Sequence, residues 1–241
     1  MFIFHTLISI FFYSLGMVSL IIFGGLFLII TFLPDAILFP YVKFMCRILC
    51  LSMGAWIRIE GKFPEGGPFI IMYNHGSFID PFAYATIIRG RFTGVIAAEE
   101  FKIPLFGAMI TRFKAIPVHR KRHKKALESI RSAERVIKED GYHVAILPEG
   151  TRTLDGKMLP FKKGGFHMAI NTNTSILPVG ADLTYNYKPK NKWMLRPSII
   201  TIRIGTPTNV DDYERLGVLG LLSVVENQIH ELTYRDVGEG S

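Results

Sequence analysis

The sequence predicts an α/β domain with a largely parallel sheet flanked by helices, behind an N-terminal hydrophobic helical membrane anchor. Two observations lead to this fold class. The first 34 residues contain no Lys, Arg, Asp or Glu, and from Gly61 onward short apolar runs alternate with stretches of helical pattern. Such alternation is typical of strands joined by helices. With 241 residues, 49% of them hydrophobic and 20% charged, the chain can build one packed domain, and intrinsic disorder is excluded.

The first element is the uncharged segment Met1–Pro34, in which Leu7–Leu33 is almost wholly aliphatic and aromatic. A helix over those residues would reach roughly 40 Å, whereas the hydrocarbon core of a bilayer is about 30 Å thick. A tilted span and a helix broken near Gly24-Gly25 that re-enters one leaflet both fit this length. A cleaved signal peptide fits poorly, because no Lys or Arg precedes the apolar run. A buried core helix is the remaining alternative, but it would need a domain that encloses about eight turns without a polar face.

The second element is a helix over Ala36–Ile59, in which three basic residues interrupt the apolar ones, namely Lys43, Arg47 and Arg58. This pattern is typical of a helix at a membrane interface. We therefore predict a membrane anchor over residues 1–59 and a folded domain over residues 60–241. The first charges after the apolar run are mostly basic, so the positive-inside rule predicts that this domain lies in the cytoplasm, at the cytoplasmic face of the membrane.

The remaining elements are short apolar runs and helical stretches in alternation. Five runs are predicted to be strands: Phe69–Tyr73, Gly94–Ala98, Val144–Leu147, Ile176–Val179 and Ile199–Ile204. The clearest helix covers His123–Asp140, because its apolar residues recur along one stripe and Gly141 provides a stop. No repeat or long linker interrupts this part of the chain, which indicates a single domain.

The charge of the chain is basic, since 28 Lys and Arg residues against 20 Asp and Glu residues give a net charge of +8. Seven of the cations lie between Arg112 and Lys125, with no acidic residue among them. Beside a membrane anchor, such a segment favours anionic lipid headgroups or a phosphorylated substrate over nucleic acid. A solvated start of a helix is the alternative interpretation.

The first candidate site is the segment Asn74–Pro81, directly after the predicted strand that ends at Tyr73. His75 and Asp80 are five residues apart, about 140° on a helix, so a turn must bring them together. We expect Asp80-Pro81 to be the N-cap and first residue of a helix, with the carboxylate orienting His75 as a general base. Backbone N–H groups in the turn are candidates for an oxyanion site. A helix cap with an incidental histidine is the alternative.

The second candidate site is Leu147–Arg152, at the end of another apolar run. Gly150 permits close approach of a ligand to the backbone, and Arg152 offers a planar fork that matches phosphate. Glu149 could hold a hydroxyl group or pair with an arginine. Lys163 precedes a helix start led by two glycines, a reasonable anion site. A turn with a surface ion pair and a solvated loop are the respective alternatives.

Other familiar motifs are absent from the sequence. It contains no HExxH, GxSxG or GxGxxG, and Gly156-Lys157 does not complete a P-loop. These absences exclude the common metalloprotease, lipase and nucleotide-binding functions, and we predict no metal site.

The order of the motifs carries a resemblance that no single motif does. NHGSFID (74–80) is followed by a basic block that ends in Arg120, then by LPEGTR (147–152), FKKGGF (161–166) and ILPV (176–179). Over about residues 60–205, this order resembles the 1-acyl-glycerol-3-phosphate acyltransferase family. The resemblance implies a glycerolipid acyltransferase-like fold and a membrane-associated enzyme of phospholipid biosynthesis. Such an enzyme moves a fatty acyl chain from a thioester of coenzyme A or acyl carrier protein to the free sn-2 hydroxyl of lysophosphatidic acid, giving phosphatidic acid.

The resemblance also implies roles for single residues. His75 would be the base and Asp80 its orienting partner, while Pro178 would be structural. The residues expected to bind substrate are Arg120, Glu149, Gly150, Thr151 and Arg152, joined by the anion-binding candidate Lys163. The chain departs from the family pattern at Leu147, where Phe is usual, and it matches only loosely over 115–120. The expected partners are the lipid bilayer, lysophosphatidic acid and the acyl thioester, which is a co-substrate, and no cofactor is expected.

Two other functions compete with this prediction. An acyltransferase of the same fold could act on another lysolipid or hydroxyl acceptor, because a histidine base serves any hydroxyl group. A non-catalytic membrane module could use the Arg112–Lys125 segment to hold anionic lipid or nucleic acid, but it would leave His75, Asp80 and Glu149 without a role.

Overall fold

The computed structural model describes residues 2–118, 123–182, 184–209 and 213–234, which form a sheet flanked by helices. Its seven strands are β1 (Ala55–Glu60), β2 (Ile70–Tyr73), β3 (Phe92–Ala97), β4 (Ile116–Val118), β5 (His143–Ile146), β6 (Ile176–Ala181) and β7 (Ser198–Ile204). Across the sheet their order is β1-β7-β6-β2-β5-β3-β4. All neighbours are parallel except β6 and β7. The predicted α/β class with a largely parallel sheet is confirmed.

The described residues form eight α-helices. They are α1 (Phe2–Ile30), α2 (Asp35–Ser52), α3 (Asp80–Ala85), α4 (Phe106–Arg112), α5 (His123–Lys138), α6 (Gly164–Thr172), α7 (Thr184–Tyr187) and α8 (Tyr213–Thr233), with a 3₁₀ turn at Glu100–Lys102. Helix α5 begins where the sequence predicts and ends two residues earlier. Gly141, at φ 66°, then reverses the chain, and the N–H groups of Gly141 and Tyr142 satisfy carbonyls of the last turn.

The three central strands β6, β2 and β5 explain why the sequence shows unbroken apolar runs rather than alternation. Both faces of these strands are covered, so side chains pointing either way must be apolar. Ile71, Tyr73 and Val179 pack with α2 and α3 on one face. Ile70 and Val144 pack with α5, α6 and α8 on the other. The strands β6, β2 and β5 are therefore packed between two hydrophobic cores. The candidate motifs follow the carboxyl ends of β2 and β5.

Strand β1 corrects the prediction of one helix over Ala36–Ile59. Helix α2 ends at Ser52, Gly54 takes a positive φ of 73°, and residues 55–60 pair with β7 in parallel register. The charged positions in β1 are exposed because it lies at the edge of the sheet, and this mixed pattern imitates an amphipathic helix. Residues 55–59, predicted to belong to the anchor, are thus part of the sheet. Strand β4 was not predicted, because three residues carry too little pattern.

Helix α2 folds back along α1 and forms a hairpin with it. The Tyr41 hydroxyl donates to the Phe23 carbonyl at 2.5 Å, and the Phe23 and Phe44 rings lie 5.8 Å apart. Near the other end of the pair, a Cβ on Gly16 would lie 2.5 Å from the Met53 side chain, so a larger residue would clash there. Helix α1 passes through Gly24-Gly25 without interruption, so the structure does not contain the break that one of the two alternatives placed there. The chain turns instead at residues 31–34.

Much of the surface of α1 is apolar and exposed. It is long and apolar enough to cross a membrane, with a mean hydropathy of 2.3 over its most apolar part, of which only 22% is buried. A core helix of a water-soluble domain would be mostly buried, so that alternative is disfavoured. The residues that do pack inward are mainly small, namely Ser9, Gly16, Ser19 and Gly24, with Phe27.

The basic segment Arg112–Lys125 is described only in part. The Arg112 guanidinium donates to the Thr31 carbonyl at 2.8 Å, and Lys114 forms an ion pair of 2.9 Å with Asp140. These two cations therefore hold α4 and the following turn to the rest of the protein. The side chains of residues 119–128, including Arg120, lie outside the described residues.

Candidate active site

The carboxyl ends of β2, β5 and β6 meet at one edge of the sheet, where loops in open α/β proteins commonly bind ligands. Asn74 joins two of these ends. Its side-chain amide donates to the Ala181 carbonyl and its oxygen accepts from the Ala181 N–H, each at 2.8 Å. The buried Tyr84 hydroxyl also donates to the Asn74 side chain, at 2.9 Å. The Tyr84 hydroxyl also lies 3.1 Å from the Asn74 carbonyl, so the residue before His75 is held at both its backbone and its side chain.

His75 and Asp80 are in contact. His75 Nδ1 lies 2.9 Å from Asp80 Oδ2, and the same oxygen accepts the backbone N–H groups of Gly76 and Ser77, both at 2.8 Å. Asp80 is completely buried, whereas the His75 side chain is 15% exposed. Since a carboxylate can only accept, the proton on the ring is assigned to Nδ1, which leaves Nε2 free to take a proton.

The helix-capping role predicted for Asp80 is wrong. The N-cap residue of α3 is Ile79, and Asp80 is the first helical residue. Its carboxylate points back to the loop, where it holds the N–H groups of Gly76 and Ser77. Those two N–H groups are consequently already bonded, which removes them as candidates for the oxyanion site.

Glu149 holds the backbone of His75 from the neighbouring loop. Its Oε1 accepts the His75 N–H at 2.6 Å and its Oε2 accepts the Leu159 N–H at 2.7 Å. Thr153 donates its N–H to the His75 carbonyl at 3.1 Å. Burial raises the pKa of Glu149 to about 7, although the two backbone N–H groups favour the charged form. Glu149 is only 3% exposed, so in this structure its carboxylate positions the His75 backbone, and the contact with substrate predicted from the sequence stays a prediction.

Gly150 allows the loop after β5 to turn. Its φ is 70°, and a Cβ there would lie 2.5 Å from the Lys162 ammonium group. The Lys162 N–H also donates to the Pro148 carbonyl at 2.9 Å. Gly150 therefore permits the close approach of Lys162 to this loop. The close approach of a substrate to the same backbone stays a prediction.

Several cations surround this loop. Arg152 is half-buried and lies near Lys188. Burial lowers the pKa of Lys188, and the positive charge of Arg152 lowers it further. Lys190 donates to the Thr151 hydroxyl at 2.9 Å. The Ser77 hydroxyl donates to the Lys188 carbonyl at 3.1 Å, which ties this segment to the His75 loop. Positive charge is thus concentrated beside the histidine.

A family model described as Acyltransferase matches residues 56–182, more than half of the chain. The chain belongs to this acyltransferase family. The resemblance recognised from the order of the motifs is therefore confirmed at the level of the family.

Three similar proteins show the range of relatives. The 1-acyl-sn-glycerol-3-phosphate acyltransferase of Cocos nucifera is 32% identical over 168 residues, which cover 70% of this chain and 54% of that protein. The one of Haemophilus influenzae is 28% identical over 184 residues, 73% of this chain and 76% of that protein. The one of Limnanthes douglasii is 34% identical over 160 residues. The chain spans slightly more than half the length of the plant relatives.

The fold as a whole is similar to a solved structure. It matches the crystal structure of the 1-acyl-sn-glycerophosphate (LPA) acyltransferase PlsC from Thermotoga maritima with a TM-score of 0.86, covering 99% of this chain and 98% of that chain. At 23% sequence identity, this match shows a common fold.

In this acyltransferase family member, most of the predicted site residues lie on two adjoining loops. Hydrogen bonds join His75 to Asp80 and Glu149, whereas Thr151 and Arg152 interact with Lys190 and Lys188, on a segment that Ser77 ties to the His75 loop. Lys163 is exposed at the start of α6, one residue beyond the Lys162 that covers Gly150, and Arg120 lies outside the described residues. Their predicted roles in binding substrate stay predictions, as does the expectation of no metal and no cofactor.

Sequence reasoning missed two groups of residues. Asn74 was part of the recognised motif but received no role, because its partner Ala181 is 107 residues away. Lys188 and Lys190 were missed although they lie in the basic run KPKNK (188–192), a signal that could have been used.

Proposed function

We propose that this protein transfers a fatty acyl chain from an acyl thioester of coenzyme A or acyl carrier protein to the sn-2 hydroxyl of lysophosphatidic acid. The product is phosphatidic acid. The observation that carries the proposal is a half-buried histidine, oriented by a buried carboxylate, next to a cluster of cations that suits a phosphate. The similar proteins named 1-acyl-sn-glycerol-3-phosphate acyltransferase support the choice of acceptor.

The reaction needs one base and no covalent intermediate. His75 Nε2 removes the proton from the acceptor hydroxyl while the oxygen of that hydroxyl attacks the thioester carbonyl carbon. The tetrahedral intermediate then collapses, the C–S bond breaks, and the imidazolium returns the proton to the leaving thiolate. Asp80, 2.9 Å from Nδ1, fixes the tautomer and stabilises the transient imidazolium. Because the N–H groups of Gly76 and Ser77 are bonded to Asp80, the oxyanion donors must be sought among other groups.

Arg152 and Lys188 are the proposed partners of the acceptor's phosphate. Arg152 forms no ion pair with any described residue, so its planar fork is available to a ligand. Lys190 is held near it by the Thr151 hydroxyl. Two or three cations match the charge of a phosphate monoester, which a neutral or zwitterionic lysolipid lacks.

We also propose that α1 and α2 attach the protein to one leaflet of the membrane, on the cytoplasmic side. If α1 crossed the bilayer, α2 would be carried in with it, because the two helices pack antiparallel. Helix α2 contains Lys43 and Arg47, and a charge at the bilayer centre is costly. An anchor that lies within one leaflet keeps those cations at the headgroups and still buries the exposed apolar side of α1.

Membrane attachment is tested by extraction. About 1 M salt screens only charge attraction, so it should leave the full-length protein in the membrane fraction, whereas detergent should release it. Complete release by salt alone would contradict the embedded anchor.

Acyl transfer is tested with purified full-length protein in detergent. A radiolabelled oleoyl thioester of coenzyme A, or of acyl carrier protein, is supplied with a panel of lysophosphatidic acid, lysophosphatidylcholine, glycerol 3-phosphate and monoacylglycerol. We expect labelled phosphatidic acid as the main product. Comparable kcat/KM for monoacylglycerol would overturn the role given to the cations, and no transfer to any acceptor from either donor would overturn the proposal itself. The two thioesters, compared at equal concentration, identify the donor.

A further inference from the structure

A second cationic site lies at the amino ends of the parallel strands, whereas His75 lies at their carboxyl ends. A groove of about 550 Å³ runs between the first three turns of α2 and the turn that leads into β3. Since β3 is parallel to β5, this turn lies at the amino edge of the strands. The main side chains that line the groove are Phe39, Lys43, Phe44, Arg47, Arg89 and Arg91.

The charges in the groove are unbalanced. Arg91 pairs with Asp35 at 3.8 Å and also lies over the Tyr142 ring, 5.4 Å from its centre. No described residue forms an ion pair with Lys43, Arg47 or Arg89. Burial lowers the pKa of Lys43, and the neighbouring Arg47 and Arg89 lower it further. Cations held this close repel one another, and an anion between them turns that repulsion into attraction.

An apolar stripe runs along the outside of α2 beside these cations. Ile37, Phe44 and Leu51 are seven residues apart, two helical turns each, and are exposed by 49%, 50% and 50%. Phe44 belongs to both features, because it also lines the groove, and its ring contacts Phe23 of α1. The stripe is therefore continuous with the exposed apolar surface of α1. A helix at a membrane interface buries such a stripe among acyl chains and keeps its cations at the level of the lipid phosphates.

We propose that this groove binds the phosphate of an anionic phospholipid of the bilayer, at a site separate from the one that holds the acceptor. Lys43, Arg47 and Arg89 surround the phosphate, and the stripe of α2 carries the acyl chains. A soluble phosphate would use the cations but not the apolar stripe, which favours a lipid. The inference rests on the membrane attachment proposed above and not on acyl transfer.

The test uses a lipid that is neither acceptor nor product of the proposed reaction. Full-length protein in dodecyl maltoside micelles is titrated with dioleoylphosphatidylglycerol, and bound lipid is counted by native mass spectrometry. The variant Arg47→Gln with Arg89→Gln removes two cations that hold no described ion pair. It should weaken phosphatidylglycerol binding about 10- to 30-fold. The matched control, Arg58→Gln with Lys62→Gln, removes the same charge from exposed positions at and after β1 and should bind like wild type.

Three results would overturn the proposal. One is equal binding of phosphatidylglycerol by wild type and by the groove variant. The second is equal binding of zwitterionic phosphatidylcholine and phosphatidylglycerol by wild type. The third is loss of free coenzyme A binding in the groove variant with lipid binding unchanged, which would assign the cations to the acyl donor. If the double variant does not fold, judged by its melting temperature, Arg89→Gln alone is used, with an expected loss of about fivefold.

The outcome is independent of catalysis. Failure of acyl transfer would leave phosphatidylglycerol binding intact, and failure of lipid binding would leave the His75 site unaffected, because the groove lies at the opposite edge of the sheet.

Discussion

His75 and His143 lie at opposite edges of the central strands. His75 follows β2 at the carboxyl edge, with Nδ1 2.9 Å from Asp80 and part of its ring exposed. His143 begins β5 at the amino edge, where its ring stacks on Phe69, with centres 5.5 Å apart, and meets the edge of Phe63. Its Nδ1 accepts the Phe69 N–H at 2.9 Å. Burial lowers the pKa of His143 to about 4, so this ring stays neutral.

The neighbours decide what each histidine can do. A carboxylate stabilises an imidazolium, so a ring beside one can accept a proton during a reaction and return it. Aromatic rings around a buried imidazole offer no counter-charge, and a backbone N–H that donates to the ring favours its neutral form. His75, at the carboxyl ends of the strands, can therefore transfer a proton. His143, at their amino ends, instead joins β5 to the residue before β2 through its hydrogen bond with the Phe69 N–H.

The largest expected effect comes from removing the base. His75→Ala should lower kcat by about 10²- to 10⁴-fold, because a positioned base contributes that factor. His143→Gln is the matched control: glutamine can still accept from the Phe69 N–H, and we expect a near wild-type kcat with a lower melting temperature. Both are measured by radiolabelled acyl transfer, with circular dichroism as the test of folding. A folded His75→Ala variant with near wild-type turnover would place the base elsewhere.

Removing the orienting charge should have the next largest effect. Asp80→Asn keeps an oxygen for the N–H groups of Gly76 and Ser77, but it loses the negative charge and the preference for the Nδ1 proton. We expect kcat to fall by about 10²-fold. Combining Asp80→Asn with His75→Ala should cost little more than His75→Ala alone, since the two residues act as a unit. Fully multiplicative losses in the double variant would show that Asp80 acts independently of the ring.

The sequence was informative about His75 because the relevant residues are local. His75 and Asp80 are five residues apart, and the apolar run before them predicts β2 correctly. The sequence did not reveal the positioning role of Glu149, because its partners are the backbone N–H groups of His75 and Leu159, and backbone donors leave no mark on the sequence. A buried carboxylate that holds backbone and a surface carboxylate that holds substrate look the same in a motif.

Substitution of Arg152 compares a cation proposed to bind a ligand with a cation elsewhere on the protein. Arg152→Lys keeps the charge but loses the fork, so kcat/KM for lysophosphatidic acid should fall roughly ten- to hundredfold, chiefly through KM. Arg58→Lys, an exposed arginine of β1, should have no effect. With monoacylglycerol as acceptor, Arg152→Lys should match wild type. Equal losses with both acceptors would instead indicate that Arg152 supports the loop.

The edges of the sheet were harder to predict than its centre. The strands β2, β5 and β6 are buried on both faces, so their apolar runs stand out. Strand β1 is exposed at one edge and contains Arg58 and Glu60, so its pattern does not separate it from the preceding helix. The basic run 188–192 marks Lys188 as a cation, but its place beside the His75 loop depends on the hydrogen bond from the Ser77 hydroxyl to its carbonyl, 111 residues away in the chain.

The smallest expected effect concerns stability and compares His143 with Glu149. Burial lowers the pKa of His143 from 6.5 to about 4 and raises that of Glu149 from 4.5 to about 7. Between pH 4.5 and 6.5 the unfolded chain therefore binds an extra proton at residue 143, and the folded chain binds one at residue 149. The contribution of His143 to stability is lost as pH falls through this window, and that of Glu149 is lost as pH rises, so in wild type the two slopes oppose each other.

Single substitutions should reveal the two slopes. His143→Gln leaves only Glu149, so stability should fall with rising pH, whereas Glu149→Gln leaves only His143, so stability should rise. Each slope amounts to about 1 kcal/mol per pH unit, or roughly 2–4 °C in melting temperature for a chain of this size. Both variants also lose part of a hydrogen bond, but that loss is constant across the window and shifts the curves without tilting them. Melting temperatures in detergent from pH 4.5 to 6.5 give the slopes directly. Slopes of the same sign in the two variants would contradict this assignment, because opposite shifts in pKa require the folded state to release a proton at one residue and retain it at the other.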